Sequence, residues 1–251
     1  MALFLEILML LRINTHSPSL RKLNHFGKVL GLLVFFLCSG IEAADMPAVR
    51  KYDEVRAQSR YDELLAKYGD NKELPAGFEL QTLLALSHYP KLKPINIRFV
   101  VDDVGIPLSS RPLWSTLLRS ARNRTYLVVI DNYLEGPRSV LLLKNQPFNA
   151  QIGIIGHELA HTIYYLDRSF FQIVADALCQ LSDCRINFER NTDRRLIQHG
   201  LGWQRYDHAQ FVRRRFTTLN QTVINSQNDG GAYMSPAELL KIIEKNENYT
   251  Y

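Results

Sequence analysis

The chain has 251 residues, 46% of them hydrophobic, with 30 Lys plus Arg against 25 Asp plus Glu and a net charge of +5. This composition excludes a disordered or collagen-like chain and fits one globular domain with a core. The basic residues are scattered, and their one dense run, Arg213-Arg214-Arg215, has no Gly/aromatic motif around it. That argues against a nucleic-acid partner.

Residues 1–44 read as a signal peptide or N-terminal anchor. Arg21, Lys22 and Lys28 precede the apolar run Val29–Leu37, which is too short for a span of about 20 residues. Small residues then lead to a cleavage point near Ala44. A second apolar patch, Ala2–Leu11, offers the means of membrane association if the leader is retained. Export to a periplasmic, secreted or membrane-anchored location permits disulfides. Cys179 and Cys184 can pair if a helix ends between them; otherwise they are two small buried thiols. Three cysteines in all exclude a disulfide-built fold.

Residues 45–251 read as a single domain. The spacing of Val49, Tyr52, Val55, Tyr61, Leu64, Leu65 and Tyr68 predicts an amphipathic helix over 47–68, stopped by Gly69-Asp-Asn. Phe78–Ser87 predicts a second short helix, and 95–101 alternates like a half-buried strand. Asp102 and Asp103 lie in a turn; no further carboxylates follow at calcium-loop spacing. Pro112–Leu118 reads as a short helix, and Arg124–Asp131 and Ser139–Lys144 as strands. Asn149 stands where a helix cap is expected. Further helices are predicted over Phe170–Leu181, Phe188–Ile197 and Trp203–Phe216. Asn228–Gly231 is a turn, and Ser235-Pro236-Ala-Glu238 opens a last helix, Leu239–Ile243.

At the centre lies Gln151-Ile-Gly-Ile-Ile-Gly-His157-Glu158-Leu159-Ala160-His161-Thr162, an H-E-x-x-H pattern in an apolar run. Two imidazoles four residues apart share one helix face and can reach one metal. Glu158 sits about 100° round the helix, placed to act as general base on water. A catalytic zinc takes three protein ligands, and three acids compete for the third place. Asp167 follows His161 by six residues, but the sharp turn such spacing needs would fall at Tyr164, not a glycine. Asp176 sits mid-helix among apolar residues. Glu189 is favoured: Asp193 lies four residues on, on the same face, placed to fix the tautomer of a ligand histidine.

His157-Glu158-Leu-Ala-His161, twenty-seven intervening residues, then Glu189-Arg-Asn-Thr-Asp193, resembles the gluzincin class of zinc metallopeptidases. The local style is closest to membrane-associated H-E-x-x-H peptidases whose third ligand lies in a Glu-x-x-x-Asp helix. The resemblance covers roughly residues 150–200. It implies a zincin-like α+β fold, with a small mixed or antiparallel sheet, then the motif helix, then a mainly helical half. It further implies one zinc held by His157, His161 and Glu189, with Asp193 behind them. Glu158 would be the general base in hydrolysis of protein or peptide substrates. Tyr164, Tyr165, His199, Tyr206 and His208 are available to stabilise the oxyanion. A strand before the helix, Ser139–Lys144 or Arg124–Ile130, would pair with substrate. The competing reading is a non-catalytic zincin-like envelope binding or assembly protein; an intact Glu158 weighs against it.

Overall fold

A computed structural model describes residues 47–180, 184–219 and 232–249, all within one compact unit. The leader and the turn at 228–231 lie outside the described residues. The fold is α+β: a small mixed sheet and a larger set of helices gathered round the motif helix.

Where one N-terminal helix is expected over 47–68, there are two: α1 (Glu54–Gln58) and α2 (Tyr61–Tyr68). Asp53 is the N-cap of α1, accepting from the Arg56 N–H at 2.8 Å, so residues 47–53 stay outside the helix. Asn71, at φ 60°, turns the chain into the two-residue strand β1 (Lys72–Glu73). Helix α3 (Glu79–Leu86) is buried on nearly every side.

The sheet runs in the order β1-β2-β4-β3, with β2 at Asn96–Val101, β3 at Leu108–Pro112 and β4 at Thr125–Ile130. β1, β2 and β4 are parallel; β3 pairs antiparallel with β4 in the register Leu108↔Ile130 to Pro112↔Tyr126. The strands expected over 95–101 and 124–131 are present. β3 has no signature in the sequence, because Leu-Ser-Ser-Arg-Pro does not alternate and ends in a residue confined to edge strands. The helix expected over 112–118 is a single 3-10 turn, Trp114–Thr116.

Ser139–Lys144 is not a strand. It forms 3-10 turns, Gly136–Leu141 and Leu143–Asn145, entered through Gly136 at φ 63° and Pro137. Leu142 and Leu143 are buried but not paired in the sheet. A short apolar run reads alike in both settings. The substrate-pairing strand expected there, or at Arg124–Ile130, is therefore misplaced: β4 is paired on both sides, and the open edge beside the motif helix is β3.

Helix α4 (Phe148–Leu166) carries the H-E-x-x-H motif and is the hub of the domain. It packs against α3, β3 and two later helices, α6 (Cys184–Gln198) and α7 (Gly202–Leu219). Two glycines allow these approaches. A Cβ on Gly153 would stand 2.2 Å from the Gln204 carbonyl oxygen, and one on Gly156 would stand 2.6 Å from the Leu201 side chain. Asn149 is not the cap of this helix; Pro147 is. The Asn149 amide instead bridges the Tyr52 backbone, accepting from its N–H at 2.7 Å and donating to its carbonyl at 2.9 Å. The N-terminal segment is thereby pinned to the start of α4. The Ser110 and Thr162 hydroxyls, 2.9 Å apart, pin β3 to its middle.

Helix α5 (Phe170–Cys179) starts with a Ser169/Gln172 capping box, and α8 (Pro236–Ile243) with one at Ser235/Glu238. Because α5 ends at Cys179 and α6 starts at Cys184, the two thiols meet in a disulfide with Cα atoms 5.4 Å apart. Among the described residues, no helix is long and apolar enough to cross a membrane.

Candidate metal centre

One buried face of α4 presents His157, Glu158 and His161, as four-residue spacing on a helix requires. Helix α6 crosses this face and brings Glu189 between the two rings. The His157 Nε2 and His161 Nε2 atoms lie 3.0 and 3.3 Å from Glu189 Oε2 and 3.2 Å from each other. Among the described residues this is the one cluster able to hold a metal ion. The fit can be tested on the donor set itself. Tetrahedral zinc with bonds of about 2.0–2.1 Å spans ligand pairs about 3.3–3.4 Å apart. All three edges of the triangle are within a few tenths of an ångström of that, and two imidazoles plus one carboxylate are ligands zinc takes.

Hydrogen bonds behind the triangle fix the tautomers. His157 Nδ1 donates to Asp193 Oδ1 at 2.8 Å, which aims Nε2 at the cluster. The Thr192 hydroxyl donates to the Phe188 carbonyl at 3.0 Å, so its oxygen accepts from His161 Nδ1 at 3.3 Å. Phe188 stacks on the His161 ring, with centroids 4.9 Å apart at 18°. Glu189, Thr192 and Asp193 lie three and four residues apart on α6, so one helix face supplies a ligand position and both ring supports.

Asp193 is fully buried and carries more than one histidine's needs. Arg205 Nε on α7, itself buried, donates to Asp193 Oδ1 at 2.7 Å, and the Met234 N–H donates to Oδ2 at 3.1 Å. Nothing in the sequence singles out Arg205. The physical need for it is legible only once Asp193 is known to be buried, since a buried carboxylate requires a partner.

The two glutamates differ in charge state. Burial opposes ionisation of Glu189, but the hydrogen bonds from His157 and His161 outweigh it and hold the carboxyl well below the usual range. Burial pushes Glu158 up, against the opposing pull of the two histidines. Its carboxyl lines the cleft and has no hydrogen-bond partner among the described residues. Two neighbouring carboxyls driven apart in this way suit a ligand and a proton acceptor respectively. Burial works against a charged His157, yet Asp193 and Glu189 raise its pKa to about 9, so a metal taking Nε2 must displace a proton.

The triangle opens into a cleft of about 1120 Å³ between β3, the Gly136–Leu141 turn, α6, α7 and residues 232–236. The loop before β3 forms one rim and is held by Asp131. Its Oδ2 accepts from the Val104 and Gly105 N–H groups, and its Oδ1 from those of Tyr133 and Leu134. These four bonds outweigh burial and lower its pKa.

The remaining expected residues separate clearly. Asp167 is at the C-cap of α4, and Asp176 accepts from the Tyr164 hydroxyl at 3.0 Å beside Arg168. Neither belongs to the metal cluster. Tyr164 is thus committed to Asp176. His199 contacts the Arg195 carbonyl and stacks on Tyr89, and Tyr206 accepts from Gln210, so neither lines the cleft. Tyr165 and His208 do line it. Burial holds Tyr165 above the ordinary phenol value, with Glu189 and Glu158 adding to the effect. Burial drives His208 neutral, and its Nδ1 donates to Gln146 Oε1 at 2.7 Å, which leaves Nε2 an acceptor. Tyr233 has no signature in the sequence. Its ring lies 5.7 Å edge-on from that of His157, and desolvation, Glu189 and Glu158 all raise its hydroxyl. No protein-family model, curated protein or solved structure matches the chain.

Proposed function

We propose that the chain is an exported zinc-dependent peptidase of gluzincin type, with a zincin-like fold. One observation carries the reading. His157, His161 and Glu189 converge to 3.0–3.3 Å, with Glu158 lining the same cleft, its carboxyl raised by burial and held by no partner among the described residues. The mixed sheet with an antiparallel edge strand beside the motif helix, followed by a helix bearing the third acid, supports the zincin likeness.

Zinc bound by the three residues supplies a Lewis acid that polarises a peptide carbonyl and acidifies water. Glu158 accepts a proton as water oxygen attacks the carbonyl carbon, then delivers it to the amide nitrogen as the C–N bond breaks. Asp193, anchored by Arg205, keeps Nδ1 of His157 protonated throughout. Tyr165 and Tyr233 stay protonated because both are raised, and their O–H groups are the donors available to the developing oxyanion. β3 has an unpaired edge next to the cleft, which suits a substrate bound as an extended strand. A disulfide is at home in an oxidising compartment, which supports export.

The reading is tested on purified protein by zinc content and by hydrolysis of an unfolded protein before and after chelation. One equivalent of zinc, activity lost with the metal and regained on adding it, supports the proposal. Protein that binds no zinc ends it.

A further inference from the structure

On α7, Arg205, His208, Ala209 and Val212 recur at the spacing of a single helix face, and all four line the cleft. Arg205 is committed to Asp193 behind the metal cluster, and the other three continue the same wall along the helix. Ile154 on α4, one turn before Glu158, and Leu141 line the cleft as well. The two helices meet beside Ile154, where Gly153 lies against Gln204. Leu141, Ile154, Ala209 and Val212 are half-buried, so each still offers carbon surface to a molecule in the cleft. His208 is set among them with a fixed tautomer. The Gln146 NH2 donates to the Leu141 carbonyl at 2.8 Å, so its Oε1 is the atom that meets His208 Nδ1 at 2.7 Å, and Nδ1 carries the proton. Nε2 is then left with a lone pair. It has no hydrogen-bond partner among the described residues, is not sealed from solvent, and stands outside the metal cluster.

We infer that this wall is the subsite for a substrate side chain that is apolar along its body and carries a hydrogen-bond donor at its tip, with His208 Nε2 accepting from that donor. The tyrosine phenol fits both halves: its ring lies against carbon, and its hydroxyl needs a partner when buried. Burial keeps the imidazole neutral, and a neutral imidazole can accept where a charged one can only donate. An occupant without the donor would cover Nε2 and leave it unpaired, which disfavours Phe although its ring is the same size. The inference rests on the peptidase reading for peptides as the substrate, and on the Gln146–His208 geometry for the kind of side chain. The same tautomer denies Nε2 a proton, so His208 binds substrate rather than serving as a donor to the oxyanion.

Acetylated, amidated alanine-based peptides carry a single Tyr, Phe or O-methyltyrosine, and mass spectrometry locates the cut. With the zinc-loaded protein, the Tyr peptide is expected to exceed the other two in kcat/KM by about three- to tenfold, cut at one fixed position relative to the Tyr. His208→Leu should bring the Tyr-to-Phe ratio near unity. The three peptides on the unaltered protein decide the matter even if that variant does not fold. Equal values for Tyr and Phe overturn the inference and leave the peptidase reading intact, and so does a Tyr preference that survives in folded His208→Leu. A loss that follows N-methylation of the main chain, with Tyr and Phe equal, gives Nε2 to a backbone N–H and likewise overturns it. Binding of dye-labelled forms of the same peptides to Glu158→Gln protein, followed by fluorescence anisotropy, keeps the question separate from turnover. Tighter binding of the Tyr peptide, lost when His208→Leu is added, supports the inference even if no peptide is cut. Binding that ignores the phenol refutes it.

Discussion

Replacing Asp193 by Asn changes one atom in a fully buried carboxylate that serves three partners, His157, Arg205 and Met234. Asp193 Oδ1 accepts from His157 and Arg205, and Oδ2 accepts from the Met234 N–H, with Arg205 Nη2 at 3.5 Å. In Asp193→Asn, Oδ1 still accepts from His157, but an NH2 now faces Met234 N–H and Arg205, donors against donor. The buried guanidinium also loses its counter-charge. Breaking a buried ion pair on one side costs about 3–5 kcal/mol, which is a large part of a domain's stability. Loss of the charged partner behind a ligand histidine lowers metal affinity by about 10- to 100-fold. The two effects separate in a double-mutant cycle. Arg205→Met in the Asp193→Asn background removes the uncompensated charge and should recover about 2 kcal/mol or more of stability, but none of the zinc affinity. Urea unfolding of the metal-free proteins measures the first, and competition with a chromophoric chelator the second. If zinc affinity is unchanged in Asp193→Asn, or if Arg205→Met destabilises that variant further, the support assigned to this pair is wrong.

Gly153→Ala forces a methyl to within 2.2 Å of the Gln204 carbonyl, so α4 and α7 must separate. The expected loss is about 1–3 kcal/mol, read as a lower thermal midpoint; an unchanged midpoint would count against the close approach of the two helices. His88 gives a pH signature away from the metal cluster. Burial lowers its pKa from 6.5 to about 4; its ring donates to the His199 carbonyl at 2.7 Å and meets the Tyr52 hydroxyl at 2.6 Å. The unfolded chain therefore binds the extra proton first. Stability is full above pH 6.5 and falls by about 3 kcal/mol as pH drops to 4. Urea midpoints across that range should show this slope and His88→Gln should flatten it; an unchanged slope would count against the assignment. Asp131→Asn removes one of the two oxygens that hold four backbone N–H groups, and hydrogen exchange at Val104, Gly105, Tyr133 and Leu134 should accelerate without a change in zinc content.

The elements around the motif can be read from the sequence because their signals are local. The apolar helix carrying His157 and His161, the alternating strand at 95–101, the β-rich run at 124–131, and the capping box at Ser235 each rest on residues close together in the chain. Glu189 and Asp193 are legible as a spaced pair on one helix face. Positions defined by distant partners are not. Arg205 has meaning only opposite Asp193, and Tyr233 only beside His157, across 76 residues of chain. β3 owes its strand to β4 and to the Ser110–Thr162 contact, not to its own composition. Val140 to Leu143 fail the other way: the apolar run reads as sheet, although it forms 3-10 turns in which only Leu142 and Leu143 are buried.

The central claim is that Glu158 moves the proton in metal-assisted peptide hydrolysis. Glu158→Gln keeps the side chain's size and leaves His157, His161 and Glu189 untouched. With both proteins loaded with zinc, the decisive measurement is the rate at which each cleaves an unfolded protein. The account predicts equal zinc content and a rate lower by about 10²- to 10⁴-fold in the variant. Equal rates with equal zinc would contradict it.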